Sequence, residues 1–87
     1  MDKQIWKYPL ETTDGQTIRM PKDSQILCVQ TQFDRPCLWA LVDPNQPLED
    51  RHILIFGTGH TVFSEGIYIG TYQLLNGSLV FHVFERK

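Results

Sequence analysis

The chain has 87 residues, of which 41% are hydrophobic, 21% charged and 11% aromatic, with a formal net charge of -2. That length makes one small domain, residues 1–87, and the composition is too apolar for a disordered chain. The acidic balance, with lysines and arginines scattered and only Arg86 and Lys87 adjacent, excludes the basic footprint that binding to duplex DNA or RNA requires.

Apolar residues come in runs of period two or in short continuous blocks divided by turn residues, the pattern of strands and not of helices. Lys3–Leu10 (KQIWKYPL) alternates and is predicted as a strand. Pro9 lacks a ladder donor, so this strand ends there or lies at an edge. Asp14-Gly15 supplies the positive φ of a turn. Gln16–Met20 is a short second strand, and Pro21–Ser24 is another turn. Gln25–Phe33 is a third strand, with Leu27, Val29 and Phe33 expected on one face. Asp34–Pro36 makes a corner. Cys37–Asp43 (CLWALVD) is apolar on both faces and therefore expected at the centre of a sheet. Pro44–Asp50 (PNQPLED) reads as a loop.

Arg51–Phe56 (RHILIF) is the fifth strand. Gly57–Gly66 connects onward, with a short strand predicted at Thr61–Phe63. Ile67–Leu75 and Ser78–Glu85 are strands joined by Asn76-Gly77, a strong hairpin signal. About seven strands with a turn every eight to twelve residues point to an all-β fold, a small antiparallel β-sandwich or barrel. The two-faced apolar run His52–Phe56 wants cover on both sides in so short a chain, so a homo-oligomer is expected. Cys28 and Cys37 sit inside apolar runs and are read as free thiols. No stretch reaches the ~18 apolar residues of a membrane span. The first residues lack the apolar core of a signal peptide, so a cytoplasmic location and no membrane partner are expected.

The stretch with chemical interest is Gly57-Thr58-Gly59-His60 (GTGH). Two glycines let main-chain N–H groups converge and let a ligand approach the backbone. Thr58 adds a hydroxyl and His60 a ring. The spacing is neither a Walker motif nor a dinucleotide fingerprint, and a plain glycine-rich turn is the competing reading. Arg51 has a fork suited to phosphate or carboxylate, or else pairs at the surface with Glu49 or Asp50. Trp39 and Tyr68 offer flat surfaces for stacking, or fill a core. His82 alternates with Val80 and Phe84 and either lines a pocket floor or is a satisfied interior residue.

The spacing of His52, His60 and His82 matches no metal-ligand motif, so no metal is expected. Ser24, Ser64 and Ser78 lie in turns without a nucleophile elbow. Asp43, Glu49 and Asp50 read as a solvated cluster. No catalytic residues and no cofactor are expected.

Taken in order, IWKYPL, IRMPKDSQIL, CLWALVD, FGTGH, YIGTYQL and LVFHVFE resemble a family of short, largely uncharacterised bacteriophage proteins, over Ile5 to Glu85. The resemblance implies a non-enzymatic counter-defence role inside an infected bacterial host. In that reading the protein binds and sequesters a small nucleotide-derived immune signal of cyclic oligonucleotide or ADP-ribose type. Gly57, Thr58, Gly59 and His60 would hold phosphate or ribose, Trp39 and Tyr68 would stack, and Arg51 would neutralise charge, with His82 in the pocket floor. The alternatives are an inhibitor that binds a host or defence protein, and a minor virion structural or assembly protein.

Overall fold

Seven strands form in the computed structural model, which describes residues 2–87. They are β1 (Gln4–Pro9), β2 (Gly15–Pro21), β3 (Gln25–Gln32), β4 (Arg35–Val42), β5 (Leu48–Gly57), β6 (Gly66–Leu74) and β7 (Leu79–Arg86). All pairings are antiparallel, in a three-stranded sheet β1-β4-β3 and a four-stranded sheet β2-β5-β7-β6. The two sheets are separate and close on one core, so the architecture is a sandwich and not a barrel. Period two explains it. Leu38, Ala40 and Val42 of β4 face Ile53 and Ile55 of β5 and Val83 of β7, all buried. β4 is central in its sheet, as its two-faced apolar run requires.

Each of the four sheet edges carries an interruption. β1 and β2 close on Pro9 and Pro21, which donate nothing to a ladder. β3 is bulged between Ile26 and Cys28, and β6 between Tyr68 and Gly70. Prolines and bulges are common defences against edge-to-edge pairing. The two bulged strands pack on one another across the sandwich. There a Cβ on Gly70 would lie 2.8 Å from Val29 Cγ1.

Several local expectations are corrected. β5 starts at Leu48, because Leu48, Glu49 and Asp50 pair with Pro21, Met20 and Arg19, which shortens the predicted Pro44–Asp50 loop. The corner before β4 is Phe33-Asp34 and not Asp34–Pro36, since Gln32 pairs with Arg35. Both corner residues have positive φ, 50° and 61°, as a two-residue type I′ turn requires. Phe33, expected on a strand face, is therefore the tip of a hairpin. The bulge in β3 turns Ile26 to the core and leaves Leu27 outside, reversing the simple alternation. Thr61–Phe63 is not a strand. The β6–β7 connection is the four residues Leu75–Ser78, because Leu74 pairs with Leu79.

The two-faced run of β5 finds its cover within the chain. Ile53 and Ile55 enter the core, whereas Leu54 and Phe56 face outward yet are only 6% and 4% exposed. Phe63, from the β5–β6 connection, and Phe84 both set ring edges against Phe56, with centroids 5.0 and 5.8 Å away. The premise for expecting a second subunit on this face is thus met by the chain's own loop. Cys28 and Cys37 are free, as expected. No helix among the described residues is long and apolar enough to cross a membrane.

Candidate functional site

The outer face of the four-stranded sheet carries the candidate site. β7 alternates, so His82 and Phe84 point outward while Phe81 and Val83 point inward. Register sets Phe56 beside His82 and Leu54 beside Phe84. On the other flank, Tyr68 pairs with Phe84 and Thr71 with His82. Tyr68 and Thr71 are three apart and would fall on opposite faces of a regular strand. The bulge between Tyr68 and Gly70 adds one residue and brings both to the outer face. Tyr68 then meets the edge of Phe84, with centroids 5.4 Å apart.

Gly57-Thr58-Gly59-His60 closes one end of this face as a β-turn. The His60 N–H donates to the Gly57 carbonyl at 3.0 Å, and Gly59 has φ 86°, the positive value a type II turn needs at its third residue. The His60 ring folds back on Gly57, where a Cβ would lie 3.0 Å from two ring atoms. The Thr58 N–H donates to the Val80 carbonyl at 3.1 Å, anchoring the turn to β7. Two of the main-chain donors assigned to an anion cradle are therefore occupied within the protein.

A cleft of about 230 Å³ opens between this turn and β6, lined by Gly57, Thr58, Gly59, His60, Tyr68 and His82 with Phe56, Val62 and Phe84. Six of the eight residues singled out in the sequence meet there. A hydrogen-bonded chain runs along its polar side. Tyr68 Oη lies 2.6 Å from Thr71 Oγ1, Thr71 Oγ1 lies 3.0 Å from His82 Nδ1, and His82 Nε2 lies 2.8 Å from Thr58 Oγ1. The Thr58 hydroxyl donates to the Val80 carbonyl at 3.4 Å. That direction lets a neutral His82 donate from Nε2 and accept at Nδ1, so every group in the chain is satisfied. His82 is thus both a satisfied residue and part of the cleft wall.

Trp39 and Arg51 are not in the cleft. Trp39 belongs to β4 in the other sheet, between Lys7 and Cys28. Arg51 points inward at the opposite end of β5. Its Nε and Nη2 donate to the Glu85 carboxylate, the latter at 2.9 Å, and Nη1 donates to the Ser24 carbonyl at 2.8 Å. The hydrogen bond to Glu85 outweighs burial and holds the guanidinium above the usual arginine value. Arg51 and Glu85 are 17% and 18% exposed, so the main partner is interior, and the expected pairing with Glu49 is present only as a longer secondary ion pair. Glu49 stands 3.9 Å from Arg51, while Asp50 pairs with Arg19.

Sequence reasoning missed Phe56, Val62, Thr71 and Phe84 as site residues. The outward phase of Phe84 was legible from its alternation with His82, but Thr71 depends on the bulge. It also missed Lys87, which lines a second concavity of about 490 Å³ that shares Val62 and Phe84 with the cleft and also holds Glu65. Among the described residues, no lysine, arginine, aspartate or glutamate lines the cleft itself. No cluster of metal-binding side chains occurs among the described residues. A family model described as a domain of unknown function (DUF7352) matches residues 1–87, so the chain belongs to that family. No curated protein and no solved structure matches it.

Proposed function

We propose that this member of the DUF7352 family is a non-enzymatic binding module whose outer-face cleft takes the base or ribose end of a small nucleotide-derived ligand. The observation that carries the reading is the meeting of Tyr68, His82, His60 and the Gly57–Gly59 turn around one cleft without charged residues. Apolar walls with a few convergent polar atoms suit a flat, uncharged ring. The volume, about 230 Å³, lies below the ~300–1,000 Å³ of sites that hold a whole drug-sized ligand. One ring system fits inside, and a phosphate-bearing part would extend outward, past Val62 and Phe84 toward Lys87. This departs from the expectation that the Gly-Thr-Gly-His turn grips phosphate. The resemblance to bacteriophage proteins favours sequestration of a host immune signal as the purpose of such binding.

Thermal-shift measurements against cyclic dinucleotides, cyclic trinucleotides, ADP-ribose and free nucleosides test the reading. A ligand at 100 times its Kd adds about 2.7 kcal/mol to stability, which raises the Tm of a domain this size by roughly 10–20 °C. The shift should vanish in Tyr68→Ala and His82→Ala. Absence of a shift with every class would overturn the reading.

A second reading has its own observation. Val62, Phe63 and Tyr68 are 58%, 61% and 57% exposed in and beside the cleft. An apolar rim of this kind also suits a protein segment, as an inhibitor of a host or defence enzyme would need. Binding of a purified target protein that Phe63→Asp abolishes would favour it.

A further inference from the structure

The end of the sandwich formed by the β3–β4 and β6–β7 turns carries two bulky residues where the backbone disfavours them. Phe33 has φ 50° and Leu75 has φ 52°. Left-handed backbone suits Gly, Asn or Asp, and a large side chain there is an outlier. Neither residue repays the fold by burial, since Phe33 is 95% and Leu75 72% exposed. Asn76, next to Leu75, is also left-handed at φ 54°, yet it is the residue type that tolerates this.

These two tips are neighbours. Asp34, which follows Phe33, lines a hollow of about 460 Å³ together with Leu74, Leu75, Asn76 and Leu79. A projecting aromatic ring therefore stands beside a hollow lined largely by leucine, on one surface of one chain. A knob and a hollow on the same patch allow an isologous two-fold contact, each copy's knob entering the other's hollow. We infer that this end is a self-association surface, with Phe33 of each copy seated in the Asp34–Leu75–Leu79 hollow of a second copy of this chain. A contact confined to two hairpin tips falls short of the ~800 Å² per partner of a standard interface, so the dimer is weak and forms with rising concentration. Asp34 lines both hollows, so like charges approach and added salt strengthens the contact. None of these residues lines the proposed ligand cleft, so the inference stands apart from the ligand reading.

Sedimentation equilibrium from ~10 µM to ~1 mM protein, a range that brackets weak association, tests it. The wild-type apparent mass should climb from 10.1 kDa toward twice that value, and further in high salt. Phe33→Asn should keep the mass at the monomer value throughout, with an equal or higher Tm, because Asn accepts the left-handed turn. Leu75→Asn provides the same comparison should Phe33→Asn fold poorly. A wild type that stays monomeric up to ~1 mM overturns the inference and leaves the tips to a different partner. So does association that is unchanged in both folded variants.

Discussion

Glu85→Ala decides whether Arg51 serves the fold or a ligand. The pair sits at the end of the sandwich interior, with side chains 17% and 18% exposed. Removing the carboxylate deletes two charge-assisted hydrogen bonds. The guanidinium is left with the Ser24 carbonyl at 2.8 Å and Glu49 at 3.9 Å. Breaking a fully buried pair costs about 3–5 kcal/mol. Partial exposure and the nearby Glu49 reduce this, and we expect about 2–3 kcal/mol. A domain of this length has roughly 4–13 kcal/mol in all, so the urea midpoint should drop substantially and Tm by roughly 10–20 °C. Removing both charges together, Arg51→Met with Glu85→Leu, should return stability to within ~1 kcal/mol of wild type, since no orphaned ion remains. A loss below ~0.5 kcal/mol for Glu85→Ala would mark an ordinary surface pair and refute the reasoning. A double variant as unstable as the single one would do the same. In the ligand screen the folded double variant should behave as wild type. Loss of binding there would return Arg51 to the site.

Four further outcomes follow from particular residues. Tyr8 Oη is buried without a hydrogen-bond partner among the described residues, so Tyr8→Phe should hold or raise stability, by up to about 1 kcal/mol, in chemical denaturation. Burial pushes the phenols of Tyr8 and Tyr72 above their ordinary value of 10.0, with the Tyr72 bond to Thr12 opposing this in part. The native state therefore holds protons that the unfolded chain gives up, and stability is whole below pH ~10 and declines as pH rises beyond it. Replacing both tyrosines by Phe should flatten that alkaline decline. Gly70→Ala should cost about 1–3 kcal/mol by overpacking against Val29, and Val29→Ala should make the same substitution less costly, as a double-mutant cycle by urea melts would reveal. Among the described residues, a Cβ at Gly59 meets no atom within 4 Å beyond its chain neighbours, but Gly59→Ala must adopt φ 86°. Its cost, about 1 kcal/mol, should thus be conformational and should not be relieved by trimming any neighbour.

Fold class was legible in the sequence because a strand records its own geometry every second residue. Leu38, Ala40 and Val42, or Val83 between His82 and Phe84, announce an inner and an outer face without reference to any partner. The pairing of glycines with Thr58 and His60 likewise marked the turn that borders the cleft, since Gly59 needs a backbone conformation few other residues accept. Other features were beyond sequence reasoning because they depend on residues far apart in the chain. The hydrogen-bonded partner of Arg51 is 34 positions away; of the two nearby choices, Glu49 forms only a longer ion pair with it and Asp50 pairs with Arg19. Trp39 was separated from the cleft by strand order, which assigns β4 and β7 to different sheets. The bulge in β6 had one signal in the sequence, Gly70 inside a strand pattern, which often marks a bulge; by adding one residue it brings Tyr68 and Thr71 to the same face and joins them to His82. Local alternation thus determined which segments are strands and which way most side chains lean. The meeting of those strands, and with it the composition of the cleft, was decided by packing across the whole domain, where register and a single extra residue change which groups touch.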